Sequence, residues 1–181
     1  MSKKIKENIN ISLEFLKNKE FDKAESLLLK NLEISNKNFE TFFLLGTIYG
    51  IKKNFFKAKN YLKEALSIKP SHINSIVNLA IILKKMNRKN DSINYFNRAI
   101  SLDKNNLESY CALGQIYEED KNFKKAETYY KRVLDIDSTN HIANHAYGKL
   151  LLKLNKHVSG LKMIEKVSGM VRFRKNVVEI I

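Results

Sequence analysis

Apolar residues return at steps of three and four along most of this chain. Between Phe39 and Pro70 they fall at Phe42, Leu45 and Tyr49, and after a polar break at Tyr61, Leu62 and Ala65. That spacing puts side chains on one face of an amphipathic helix, so the segment reads as two helices joined by a turn. The pair recurs. KNFFKAKNYLKEALSIK from Lys53 has relatives in KEFDKAESLLLKNLEIS from Lys19, NRKNDSINYFNRAISLD from Asn87, KNFKKAETYYKRVLDID from Lys121 and, more weakly, NKHVSGLKMIEKVSG from Asn155, each 34 residues beyond the last. A period of this length marks a stacked array. It divides the chain into repeats 5–38, 39–72, 73–106, 107–140 and a shortened 141–168, with 169–181 left as a non-repeat tail.

The eighth place of the repeats is always small: Ser12, Gly46, Ala80, Gly114 and Gly148. Glycine inside a helix costs about 1 kcal/mol relative to alanine, so close helix approach is the expected compensation. The twentieth place supplies a matching small surface with Ala24, Ala58, Ser92, Ala126 and Gly160. Bulkier residues fill the seam at the eleventh place (Phe15, Tyr49, Leu83, Tyr117, Leu151) and the twenty-fourth (Leu28, Leu62, Phe96, Tyr130, Ile164). Aromatic stripes at helical spacing are core rather than cofactor residues.

The segment FETFFLLGTIYGIKKNFFKAKNYLKEALSIKP carries an aromatic, Leu-Gly, Tyr, Ala, Leu, Ala and Pro in an order and spacing that resemble the tetratricopeptide repeat family. The resemblance implies an all-α fold, a right-handed α-solenoid of antiparallel helix pairs, and a concave groove lined by the first helix of each pair. It also implies a non-catalytic scaffold or adaptor that takes a peptide or helix of a partner protein in that groove. Carried onto this sequence, the groove positions are Phe43, Leu44, Thr47 and Ile51, then Val77, Asn78, Ile81 and Lys85, then Cys111, Ala112, Gln115 and Glu119. The first repeat adds Ile9, Asn10 and Leu13, and the last His145, Ala146 and Lys149. Two groove chemistries known in the family are not matched. The places of its carboxylate clamp are largely apolar here, and of its asparagine ladder only Asn10 and Asn78 remain. Asn36, Lys104 and Ser138 stand where Pro70 closes the second repeat, which softens those turns.

Composition adds a charge of +14 over 181 residues. Such an excess points to nucleic acid, an anionic membrane surface or an acidic partner, but richness in Lys, Asn and Ile is also what an AT-rich coding sequence produces. The charge is uneven: from Thr41 to Asn90 Glu64 is the sole acid. Lys52, Lys53, Lys84, Arg88 and Lys89 fall near successive turns and form an expected basic edge, able to steer an acidic or amphipathic protein partner. Nucleic acid is disfavoured, because most aromatics already have core assignments and few remain for base stacking.

Little else suggests chemistry. Cys111 is the sole cysteine, so neither an intrachain disulfide nor a cysteine-rich zinc site forms, and a reducing, cytoplasmic location is expected. His141 and His145 share a helix face but lack the third ligand of a zinc site. Cys111 and His145 fall on neighbouring groove helices about 10 Å apart, too far for a dyad. No phosphate loop, nucleophile elbow or apolar run of membrane-spanning length is present. The expectation is no catalysis, no cofactor and no metal. The tail SGMVRFRKNVVEII shifts toward β-branched residues, leaving open whether it folds back, joins a partner's sheet or leads into another domain. The last repeat loosely resembles that of bacterial proteins in which such arrays precede a catalytic domain, among them iron/2-oxoglutarate oxygenases and transferases. A recognition arm for such an enzyme, in a longer chain or in trans, is therefore the alternative to a free adaptor.

Overall fold

The computed structural model describes residues 2–168, 171–174 and 177–180, with side chains to residue 165. The described residues form α1 (Lys3–Lys17), α2 (Phe21–Ile34), α3 (Phe39–Ile51), α4 (Phe55–Ile68), α5 (Ile73–Lys85), α6 (Lys89–Leu102), α7 (Leu107–Glu119), α8 (Phe123–Ile136), α9 (His141–Lys153), α10 (His157–Ser168) and two short strands, β1 (Val171–Arg174) and β2 (Val177–Ile180). The helices divide into two compact units, one ending at Leu102 and the other starting at Asp103.

In the first unit α1 packs on α2, α3 on α4 and α5 on α6, and the hairpins are stacked through α2 on α3 and α4 on α5. In the second, α7 packs on α8, α9 on α10 and α8 on α9. Each hairpin turns in the same way. Lys19, Lys53, Asn87, Lys121 and Asn155, spaced by 34, all hold positive φ between 58° and 61°. The N–H of the following residue donates to a carbonyl five residues back, as in Asn54 to Tyr49 and Asn122 to Tyr117, both 2.8 Å. The left-handed residue itself donates three back, as in Lys53 to Gly50 at 3.1 Å. This is a Schellman ending, usually made with glycine. Asparagine tolerates the conformation; lysine does so at greater cost.

Asparagine also opens the helices. The side chains of Asn38, Asn54, Asn106, Asn122 and Asn140 accept from the backbone N–H three residues on, at 2.8–3.2 Å. These caps satisfy donors that the first turn leaves unpaired. Part of the asparagine richness is thus structural, whatever codon bias underlies it.

The predicted seam is where the core lies. Leu28, Leu62, Phe96 and Tyr130 are fully buried. The small places opposite them are needed: a Cβ on Gly46 would stand 2.7 Å from Leu62, and one on Gly114 2.5 Å from Tyr130. Where the small residue is Ser92, its hydroxyl donates to the Ala80 carbonyl at 2.8 Å and ties α6 to α5. Tyr130 keeps its ring inside while its hydroxyl donates to Glu118 at 2.9 Å, and Lys153 reaches the other oxygen of that carboxylate at 2.6 Å.

The first two hairpins are joined by a buried polar chain. The Asn8 side-chain amide donates to Asn31 Oδ1 at 2.7 Å, and the Asn31 amide donates to the Thr41 hydroxyl at 3.4 Å. Within the second hairpin the places of Asn8 and Asn31 hold Phe42 and Ala65, which pack in an apolar cluster with Phe39. Beyond α10 the described residues 171–174 and 177–180 form β1 and β2, which pair antiparallel with Val171 opposite Ile180 and Arg174 opposite Val177, an addition to an all-α fold.

Candidate functional site

α3 is apolar on every side, the pattern of a helix buried all round, and it touches α2, α4 and α5. Its contact with α5 opens a pocket of about 530 Å³, lined mainly by apolar side chains and glycine. Five predicted groove residues line it: Thr47 and Ile51 from α3, and Asn78, Ile81 and Lys85 from α5. The Asn78 amide donates to the Thr47 hydroxyl at 3.2 Å, and that hydroxyl donates to the Phe43 carbonyl at 2.9 Å. The two helices are therefore fastened by a polar link in an otherwise apolar lining. Ile51 stands 51% exposed at the mouth. Sequence reasoning missed Gly50, whose lack of a side chain leaves room beside Ile82 Cδ1, 3.1 Å from where a Cβ would lie. The signal was available: no other repeat has glycine at that place.

Other predicted groove residues sit elsewhere. Leu44 (7% exposed) and Val77 (2%) are core residues of the first unit. Phe43 is half-buried; its ring stacks on Phe39 and meets the edge of His72, with centroids 6.1 and 5.0 Å away. His72 Nδ1 accepts from the Ser75 N–H at 3.2 Å, capping α5. Burial first, and Lys69 second, hold its pKa below the usual value against the pull of Glu40. In the second unit Cys111 is buried against Val133 and Ala143, while Gln115 and Glu119 are exposed.

The basic edge is less positive in space than along the chain. Lys52 bridges Asp22 and Glu25 of α2, at 2.6 and 2.5 Å, and those bonds raise its pKa. Burial would raise the Glu25 carboxyl, but hydrogen bonds from Lys52 and Tyr49 outweigh it and hold the group below its ordinary value. Arg88 pairs with Asp91, its Nε at 2.7 Å. Lys84 and Lys89 are half-buried. Lys53 lies on the pocket wall with Lys85, and among the described residues no carboxylate pairs with either.

Burial pushes the Cys111 thiol up to about 11, with Glu108 adding to the shift, so little thiolate forms at neutral pH. His141 and His145 are exposed, and no group of three or more His, Cys, Asp or Glu that would hold a metal occurs among the described residues. No described helix is long and apolar enough to cross a membrane.

Comparison with known proteins agrees with this geometry. A tetratricopeptide repeat family model matches residues 39–72, 73–106 and 107–140. Among solved structures, MamA 41-end from Desulfovibrio magneticus RS-1 superposes with a TM-score of 0.81 at 17% identity, over 93% of this chain and 96% of that one. PilF of Pseudomonas aeruginosa gives 0.81 at 17% identity, over 91% and 75%. YrrB, described as a TPR protein with an unusual peptide-binding site, gives 0.69 at 20% identity, over 88% and 82%. At these identities the likeness is one of fold, an α-solenoid of stacked helix pairs. No curated protein sequence matches this one. With three consecutive matched repeats making up more than half of its length, the chain belongs to the tetratricopeptide repeat family.

Proposed function

We propose that this chain is a non-catalytic interaction scaffold that docks a segment of a partner protein against the first helices of its hairpins. The reading includes α1–α2 and α9–α10 as the first and last repeats of an array over residues 5–168, with the array working in the cytoplasm. One observation carries it: the pocket between α3 and α5 is lined by residues from the groove places of two successive repeats, and it presents apolar surface with few polar groups. Protein-binding clefts have this composition, and an exposed apolar concavity of this kind calls for an occupant. The description of YrrB as peptide-binding adds support from a protein of the same fold. Family membership favours a scaffold over an enzyme, and Cys111 and His141 offer no nucleophile or metal site that argues otherwise.

Selection of peptides from a displayed random library against the immobilised chain, followed by amide chemical-shift mapping, tests the reading. Bound peptides are expected to shift Thr47, Ile51, Asn78 and Ile81. Peptides that move only outer residues such as Phe56 and Lys59 of α4, or a selection that enriches nothing, would refute it.

A further inference from the structure

We infer that the pocket between α3 and α5 is an acid-plus-aliphatic subsite: it takes one aliphatic side chain of a partner peptide while Lys53 and Lys85 hold the carboxylate of a neighbouring Asp or Glu. The inference rests on the scaffold reading and specifies the partner's chemistry. Its apolar half comes from shape. Gly50 leaves a gap in the wall of α3, Ile51 and Ile81 flank it, and Ile82 closes the back. A glycine in mid-helix sacrifices helix propensity, and this one is not required by the hairpin's own packing, since Ile82 Cδ1 is the far end of a flexible side chain.

The ionic half comes from what the lysines lack. Lys52, next to Lys53, is neutralised by two carboxylates, and Lys69 by Glu40. Lys53 and Lys85 are exposed, line the same pocket and have no described acid as partner. The C-terminal ends of α3 and α5 oppose an anion here with partial charges of about half a unit each. Two whole cations outweigh them, and the last carbonyls of α3 are already occupied by the Schellman bonds. A carboxylate placed there is attracted by both cations, most strongly at low salt. A purely apolar peptide would forgo that attraction, and a basic one would be repelled.

The test uses a fluorescein-labelled peptide, blocked at both ends, that alternates leucine and glutamate, with its leucine–glutamine analogue as control. Fluorescence anisotropy should show the acidic peptide binding about tenfold tighter than the neutral one at low salt, the advantage fading as salt rises. Lys53→Gln with Lys85→Gln should remove that advantage, again about tenfold. Gly50→Leu should abolish binding of both peptides. Should that variant fold poorly, Ile51→Glu at an exposed helical position serves instead, setting a fixed carboxylate at the lysines. If library-selected peptides map to Thr47 and Ile81 yet carry no acid and ignore the lysine changes, the subsite is overturned while the scaffold stands. If neither the selected nor the synthetic peptides bind, both fall.

Discussion

Exchanging glycine for alanine at two places in this chain should change stability in opposite directions. Gly114 lies in α7 opposite Tyr130, and a Cβ there would stand 2.5, 2.7 and 3.0 Å from three atoms of the ring. The ring cannot retreat easily: it is fully buried, and its hydroxyl is tied to Glu118. Alanine gains about 1 kcal/mol of helix propensity, but overpacking of this kind costs about 1–3 kcal/mol, so Gly114→Ala should lose up to about 2 kcal/mol. Gly50→Ala meets only the tip of Ile82 at 3.1 Å, which a small rotation relieves. Propensity then prevails, and a gain of about 0.5–1 kcal/mol follows. In a domain of this size 1 kcal/mol corresponds to about 2–4 °C in Tm, so Gly114→Ala and Gly50→Ala should fall on opposite sides of the parent in thermal and urea unfolding followed by circular dichroism. Tyr130→Leu combined with Gly114→Ala should recover part of the loss, a coupling that a double-mutant cycle reads directly. A Gly114→Ala variant more stable than the parent, or additive effects in the cycle, would refute the close-approach explanation for the small seam.

Lys121→Gly removes a non-glycine residue from a left-handed conformation of φ 58° and should stabilise by about 1 kcal/mol in urea melts; Asn155→Gly should gain less. Ser12 is fully buried with no described partner for its hydroxyl, so Ser12→Ala should match or exceed parental stability by about 1 kcal/mol. His72 is held below its ordinary pKa, so the unfolded chain binds the proton more readily; its contribution is whole above about pH 6.5 and is lost as pH falls through the folded value. His72→Asn replaces the capping Nδ1 with an amide oxygen that does not titrate and should flatten that slope, read as Tm against pH. The carboxyls of Glu25, Glu40 and Glu127, also depressed, contribute a separate loss only below about pH 4.5.

The seam was legible in the sequence because its rule is local and repeats every 34 residues: Leu62 and Tyr130 lie where the small partners Gly46 and Gly114 require them. Thr47, Ile51, Asn78, Ile81 and Lys85 were legible for the same reason, since α3 and α5 present equivalent faces. Leu44 and Val77 were assigned to the groove as well, yet they are core residues. Cys111 shows how a groove place becomes buried: Ala143 of the next hairpin and Val133 of its own close over it, which periodicity alone does not reveal. The electrostatics were misleading along the chain because partners are distant in sequence, in the preceding repeat for Lys52 and at the opposite end of its own repeat for Lys69. Lys52 meets Asp22 and Glu25 at separations of 30 and 27 residues, and Lys69 meets Glu40 at 29. A window from Thr41 to Asn90 holds the cations and omits most of the acids that neutralise them.

The amides of Asn8 and Asn31 bear on whether the modules of this chain are interchangeable. The two belong to one hairpin and travel together, so moving that hairpin away from α3 breaks only the bond from Asn31 to the Thr41 hydroxyl and leaves a buried amide donor in need of another acceptor. A shuffled version that sets the leading hairpin before the last repeat, where Ala143 holds the place of Thr41, should therefore assemble less well than one that sets it before Ser75 or Ser109, whose hydroxyls can accept in its stead. The order of the modules is thus written partly in their interior, by which neighbours can offer that amide a hydroxyl.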